Sequence, residues 1–157
     1  MAMPEMPVVS EEHVRLHVFE GQWIGEETMS PSPWGPGGPA VGKYAGKIVC
    51  DGFFIAQDYQ QEKDGAVTYR GHGVFGYDAA QARVAWYWVD SMGSVPAQPA
   101  WGTWNGTALE LRSESPHGHG RYTYAFDGRD RYEFKLENSF DGGQTWHTFM
   151  TGKYRRA

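Results

Sequence analysis

The chain has 157 residues and a net charge of -5, its 19 acidic and 14 basic side chains interspersed rather than blocked. That length builds one domain around one core, and the charge pattern excludes nucleic acid, whose phosphates require a basic face. A lone cysteine, Cys50, excludes an internal disulfide and a cysteine-rich zinc site, and its neighbours Ile48 and Val49 predict an ordinary buried thiol.

Residues 1–9 read as a flexible N-terminus preceding a single domain over 10–157. They lack both the basic segment and the apolar run of an export signal or membrane span, so a cytoplasmic protein with no membrane partner is expected. Ser10 then caps EEHVRLHVF, which predicts one helix of about two or three turns with Val14, Leu16, Val18 and Phe19 as its apolar face. From Gly21 onward the pattern has period two, broken about every eight to twelve residues by turn signals: CDG at 50–52, KDG at 63–65, WNG at 104–106, FDG at 126–128 and DGG at 141–143. Such spacing predicts an antiparallel barrel or sandwich.

Along the first strand, Glu26 and Glu27 point to opposite faces and cannot serve as a paired acid and base from that strand alone. The loop MSPSPWGPGGPAVG, residues 29–42, is too long for a tight hairpin and carries Trp34. FFIAQDYQQ can be phased two ways, with Phe53, Ile55, Gln57 and Tyr59 inside, or Phe54, Ala56 and Asp58. In YRGHGVFGY, His72 shares parity with Arg70 and Thr68 and faces outward; the opposite phase brings it inside. RVAWYWVDS puts Trp86, Trp88 and Asp90 on one face. A second long loop, MGSVPAQPAWGTW, carries Trp101 and Trp104, and two such loops at an open end place their tryptophans around a mouth.

In ALELR, Leu109 and Leu111 point inward, with Ser113 following on the same side. RYTYAFD sends Tyr122, Tyr124 and Phe126 in and Arg121, Thr123 and Ala125 out. RYEFKLENS is the clearest alternation, with Tyr132, Phe134, Leu136 and Asn138 inside and Arg131, Glu133, Lys135 and Glu137 in water. His117 and His119 form an H-x-H, but the surrounding SPHGHGR reads as a loop and no spaced third ligand accompanies them, so no metal is expected. The cluster KYRR at 153–156 reads as the solvated charges of a terminal strand.

Residues 139–146, SFDGGQTW, match the S-x-D-x-G-x-T-W Asp-box that recurs around sialidase propellers. One copy in a chain of this length cannot build a propeller, whose blades each take about 40 to 50 residues. Asp141 is therefore read as the carboxylate of a tight corner between two strands, with Trp146 packing back over it.

Two distant features belong together: the G-x-W of Gly21 and Trp23, and Arg155 or Arg156 in the last strand. The pair resembles the lipocalin and calycin superfamily, in which such a tryptophan packs under such an arginine. The longer series HVRLHVFEGQWIGEE, CDGFFIAQDYQQEKDG, GHGVFGYD, WVDS and ENSFDGGQTWHTFMTGKYRR resembles a bacterial domain-of-unknown-function family, number 1579, over nearly all of residues 10–156. That resemblance implies an all-β, antiparallel lipocalin-like barrel of about eight to ten strands with one short N-terminal helix, and implies no activity.

Such a barrel is either filled by side chains or encloses one small ligand. The inward set suits a cavity for a small apolar or aromatic molecule, with Trp86, Trp88, Tyr122, Tyr124 and Phe134 as aromatic wall and Asp90 and Asn138 as polar anchors. A second reading is an enzyme using the same cavity, with an inward His72 oriented by Asp58 or Asp90 as acid and base. A third is a solid barrel whose tryptophan loops contact another protein or a second copy in a homodimer. No cofactor is expected, although barrels of this resemblance include haem proteins that bind iron through a histidine near the C-terminus, a place that His147 occupies here.

Overall fold

A computed structural model describes residues 1–157. After a short helix α1 (Glu11–Arg15) and a 3-10 turn (Leu16–Phe19) come ten strands: β1 (Gly21–Met29), β2 (Gly38–Val49), β3 (Phe54–Lys63), β4 (Ala66–Asp78), β5 (Arg83–Asp90), β6 (Ala100–Asn105), β7 (Ala108–Ser115), β8 (Gly118–Asp127), β9 (Arg131–Ser139) and β10 (His147–Arg156). Each pairs antiparallel with its neighbour in sequence, and β1 pairs with β10, so the sheet closes on itself. The closing seam runs from Trp23 opposite Arg156 to Met29 opposite Met150. Closure gives every strand a neighbour on both sides, with β5 joined to β6 over Val84–Trp86 only.

The helix and 3-10 turn plug one end. The Ser10 N–H donates to His13 Nδ1 at 3.0 Å, and its hydroxyl lies 2.8 Å from the same nitrogen, which fixes the first turn. Winding then tightens, and the three-residue repeat of a 3-10 turn brings Leu16 and Phe19 onto one face, where they are 1% and 2% exposed. Val14, expected on that face, instead lies exposed, because the α-helical spacing ends one residue later. Gly46 of β2 admits the plug: a Cβ there would overlap the Phe19 carbonyl oxygen.

Beneath the plug the inward rings meet edge to face and stacked. Phe19 stacks on Phe75 at 4.5 Å between centroids, Phe75 on Trp86 at 5.5 Å, and Tyr124 meets Phe134 at 4.9 Å. Trp23 donates its indole N–H to the Phe19 carbonyl at 3.2 Å and lies 4.3 Å from the Arg156 guanidinium. Arg156 in turn donates to the carbonyls of Val18 and Glu20. The expected tryptophan and arginine pair is thus formed, and Arg156 is the arginine.

Several expectations are corrected. Cys50 is exposed, since the β2–β3 connection is a 3-10 turn with φ of 52° and 58° at Cys50 and Asp51, which carries the thiol outward. Trp101 and Trp104 belong to strand β6, not to a loop at the mouth; Trp101 stacks under Arg83 at 3.6 Å, and Trp104 lies near the plug beside Arg15. His119 is a strand residue, because β8 begins at Gly118. Glu137 does point outward but is buried there, clasped by Arg121 at 2.9 and 2.8 Å. That pair holds the Glu137 carboxyl below the usual carboxylate range. The strand whose phase was open buries Ile55, Gln57, Tyr59 and Gln61 and turns Phe54 and Asp58 out.

Candidate functional site

The end opposite the plug carries the β1–β2, β3–β4, β5–β6, β7–β8 and β9–β10 connections. Among the β1–β2, β7–β8 and β9–β10 connections lies a cup of about 460 Å³. Its inner wall comes from strand positions, with Ser113 on β7, Gly120 and Tyr122 on β8 and Asn138 on β9; Trp34 and Phe140 stand at its rim. The two rim rings are 71% and 67% exposed. Gly120 is buried beneath two of these residues, since a Cβ there would come within 2.7 Å of Ser113 Oγ and 2.8 Å of the Tyr122 hydroxyl. His117 and His119 border the same cup, but His119 alternates with the inward Gly120 and Tyr122, and its ring lies toward Gly143 at the outer corner.

Below the cup the aromatic wall closes up. Tyr122 meets Trp86 edge to face at 4.9 Å, and Trp86 lies 5.1 Å from Trp88. Asp90 accepts hydrogen bonds from the Tyr69 hydroxyl at 2.5 Å, the Trp88 indole at 3.0 Å and the Met92 backbone N–H at 2.9 Å. Burial and this carboxylate keep the Tyr69 phenol protonated far above its ordinary range. Burial likewise raises Tyr122, with a further contribution from the Asp90 charge. Of the residues expected to form a binding site, Trp88, Asp90, Tyr122 and Asn138 are half-buried in the upper barrel. Trp86, Tyr124 and Phe134 lie deeper, at most 4% exposed, inside the packed core.

Toward the mouth ends of β1 and β3 is a buried group that sequence reasoning did not single out as a site. Glu27, 2% exposed, accepts from the Tyr59 hydroxyl at 2.8 Å, from the Gln61 amide at 3.1 Å and from the Tyr154 hydroxyl. Burial raises its pKa, and the three donors offset only part of that rise. Gly42 faces the pair, where a Cβ would lie 2.6 Å from a Glu27 carboxylate oxygen. Nearer the plug on the same strand, Gln57 accepts the Trp86 indole N–H at 3.1 Å, so the phase of β3 is fixed by polar partners as much as by apolar ones.

The remaining candidates sit elsewhere. His72 does donate to Asp58, at 2.8 Å, but on the outer wall, where the side chains are 49% and 77% exposed. An enzyme built on an inward His72 therefore has no geometry here: β4 alternates Tyr69, Gly71 and Gly73 inward, which forces His72 out. His147 opens β10 at the mouth, exposed and opposite Asn138 in register. Asp141 forms the expected corner, accepting from Ser139 Oγ, the backbone N–H of Gln144 and Thr145, and Thr145 Oγ1 at 2.5–2.9 Å. These bonds hold its carboxyl far below the usual range. Asp141→Ala is expected to lower the unfolding midpoint near neutral pH. The deficit should close as pH falls, because an acid of lowered pKa contributes stability only above its unfolded value. A pH series of melts checks this; a deficit independent of pH would contradict it.

A closed antiparallel meander, plugged by a short helix over a tryptophan and arginine stack and open at an aromatic mouth, defines a lipocalin-like, calycin-type barrel. The chain belongs to the family described as "Protein of unknown function (DUF1579)", whose model matches residues 9–156. No curated protein matches its sequence. Among solved structures, the crystal structure of Rv2717c from M. tuberculosis is similar with a TM-score of 0.71 at 14% identity, over 96% of this chain and 99% of that one. The S-type phycobiliprotein lyase CPES from Guillardia theta gives 0.66 at 12% identity, over 94% and 91%. What these two share with the chain is the fold.

Proposed function

We propose that the barrel binds a small, largely apolar or aromatic molecule in its open cup. Tyr122 and Asn138, which line the cup, form the wall that meets the ligand, and Trp86, Trp88, Asp90, Tyr124 and Phe134 belong to the interior that backs them. The observation carrying this reading is the cup itself: inward strand positions that would fill a solid barrel are held by the small or polar Ser113 and Asn138, beside about 460 Å³ of space and exposed aromatic rings. A concave site with aromatic walls and few polar anchors suits a small molecule. That a phycobiliprotein lyase has the same architecture is compatible with it, although fold alone assigns no ligand.

Native mass spectrometry of freshly purified protein, set against the denatured mass, tests the reading. A co-purifying mass is expected in the parent protein and absent from Gly120→Val, in which the added side chain displaces Ser113 and Tyr122 from the wall of the cup. A bare mass, together with tryptophan emission unchanged by naphthalene-based dyes, would overturn it.

A further inference from the structure

We infer that the ligand of the cup is an uncharged planar ring carrying an amide edge, a carbonyl beside an N–H, and not a charged molecule. The inference rests on the cup being a binding site and adds the chemical class of its occupant. Three adjacent strands lay a polar strip across the inner wall: Ser113 on β7 stands opposite Gly120 on β8, and Gly120 opposite Asn138 on β9. With neighbouring strands about 5 Å apart, Ser113 and Asn138 stand about 10 Å apart, and Gly120 puts no side chain between them. The Tyr122 hydroxyl, from two residues further along β8, comes over that gap.

Each polar group of the strip keeps hydrogen-bonding capacity for a ligand. Ser113 Oγ and the Tyr122 hydroxyl lie 3.4 Å apart, well beyond the roughly 2.7–2.8 Å at which hydroxyls pair. Burial raises the Tyr122 phenol above its ordinary range, so it has a proton to donate. The Asn138 carboxamide makes no hydrogen bond within the protein and borders the cup. A carboxamide offers an acceptor and a donor side by side. A ring amide offers the same two in reverse, so the pair closes both bonds in one plane, and its carbonyl has a second lone pair for Tyr122. Trp34 and Phe140 present exposed faces at the rim on which a flat ring can stack. No carboxylate, lysine or arginine lines the cup, and the oxygens of Asp90 behind it are taken by Tyr69, Trp88 and the Met92 N–H. A charged ligand would exchange water for walls with no opposite charge, whereas an amide recovers in the cup the hydrogen bonds it gives up.

The test titrates three bicyclic probes calorimetrically into the intact protein: carbostyril, whose ring carries the amide edge, N-methylcarbostyril, whose nitrogen has lost its hydrogen, and the anion quinaldate. A naphthalene-based dye reports on the cup itself. Carbostyril is expected to bind about tenfold tighter than its methylated form, with quinaldate weakest. In Asn138→Leu the ratio between the two carbostyrils should fall to about one, and Tyr122→Phe, which removes only the hydroxyl, should weaken both together. In the unaltered protein, added salt should leave carbostyril binding unchanged, a readout that needs no variant. Equal affinity of the two carbostyrils, or binding of the dye alone, would overturn the amide assignment and leave the cup as a site. Quinaldate binding as tight as carbostyril binding would overturn the uncharged class. Failure of all four molecules to bind would overturn the cup as well.

Discussion

Replacing Glu27 by alanine is expected to destabilise the barrel by about 4 kcal/mol, because it strands the Tyr59 and Tyr154 hydroxyls and the Gln61 amide in an interior that water does not reach. Each orphaned buried donor costs about 1–3 kcal/mol, and the space left by the side chain adds to that. Gly42, whose missing side chain makes room for the carboxylate and for Tyr154, allows no compensating collapse from β2 without backbone movement. Against a domain stability of about 5–15 kcal/mol, such a variant stands near the limit of folding. Urea unfolding followed by circular dichroism reads the effect, and a loss below about 1 kcal/mol would mean the network is not formed.

The same residue sets a pH dependence. Burial raises the Glu27 pKa above its ordinary 4.5, so the folded chain holds a proton that the unfolded chain has released. Stability from this group is full below the unfolded value and falls as pH rises through the folded one. Glu137 and Asp141 act with the opposite sign, since their lowered values give stability that is lost on acidification. Glu27→Gln cannot titrate and is expected to flatten the decline on the alkaline side while leaving the acid limb intact. Parallel pH profiles for the two proteins would contradict the assignment.

Phe19→Ala is the second large effect, expected to cost about 3–5 kcal/mol, the range for removing a fully packed ring. Phe19 is 2% exposed and meets Phe75, Tyr124 and Phe126 at 4.5, 5.0 and 5.2 Å, so its loss opens a hole between the plug and two sides of the barrel. Phe19→Leu, nearer in volume, should cost less than about 1.5 kcal/mol. If alanine and leucine behaved alike and mildly, the plug would not be packed on the core as described. Neither change reaches the cup, so whatever fraction remains folded should still bind the naphthalene-based dyes.

How far the sequence led depends on what kind of residue carried each signal. β8 and β9 were legible because their inner positions are aromatic and their outer positions charged, the pattern that alternation detects best. The corner at Asp141 and the pairing of Trp23 with a terminal arginine were legible from motif alone. β3 was not, because Gln57 and Gln61 look solvent-loving and are inside, each satisfied by a partner on another strand. Glu27 was indistinguishable from Glu26 for the same reason. What makes it a site is its position among Tyr59, Gln61 and Tyr154, and only the register of β1 against β10 and of β2 against β3 brings those groups to it. Of the cup, the wall residues Tyr122, Asn138 and Ser113 could be read from parity. The misplacement of Trp104 came from taking a proline-rich stretch as loop throughout, when a strand begins at Ala100.

The seam between β1 and β10 joins the earliest and the latest strands of the barrel, and the backbone N–H of Ala157 still reaches the Gln22 carbonyl at 2.8 Å. A ribosome releases these segments in order, so β1 waits with an open edge until nearly all the chain has emerged. Each earlier hairpin can form as it appears, but the ring is completed in one late, long-range step. A nascent chain cut short before residue 147 would expose two sticky edges at once, which makes premature termination more hazardous for this architecture than for one built from self-contained halves.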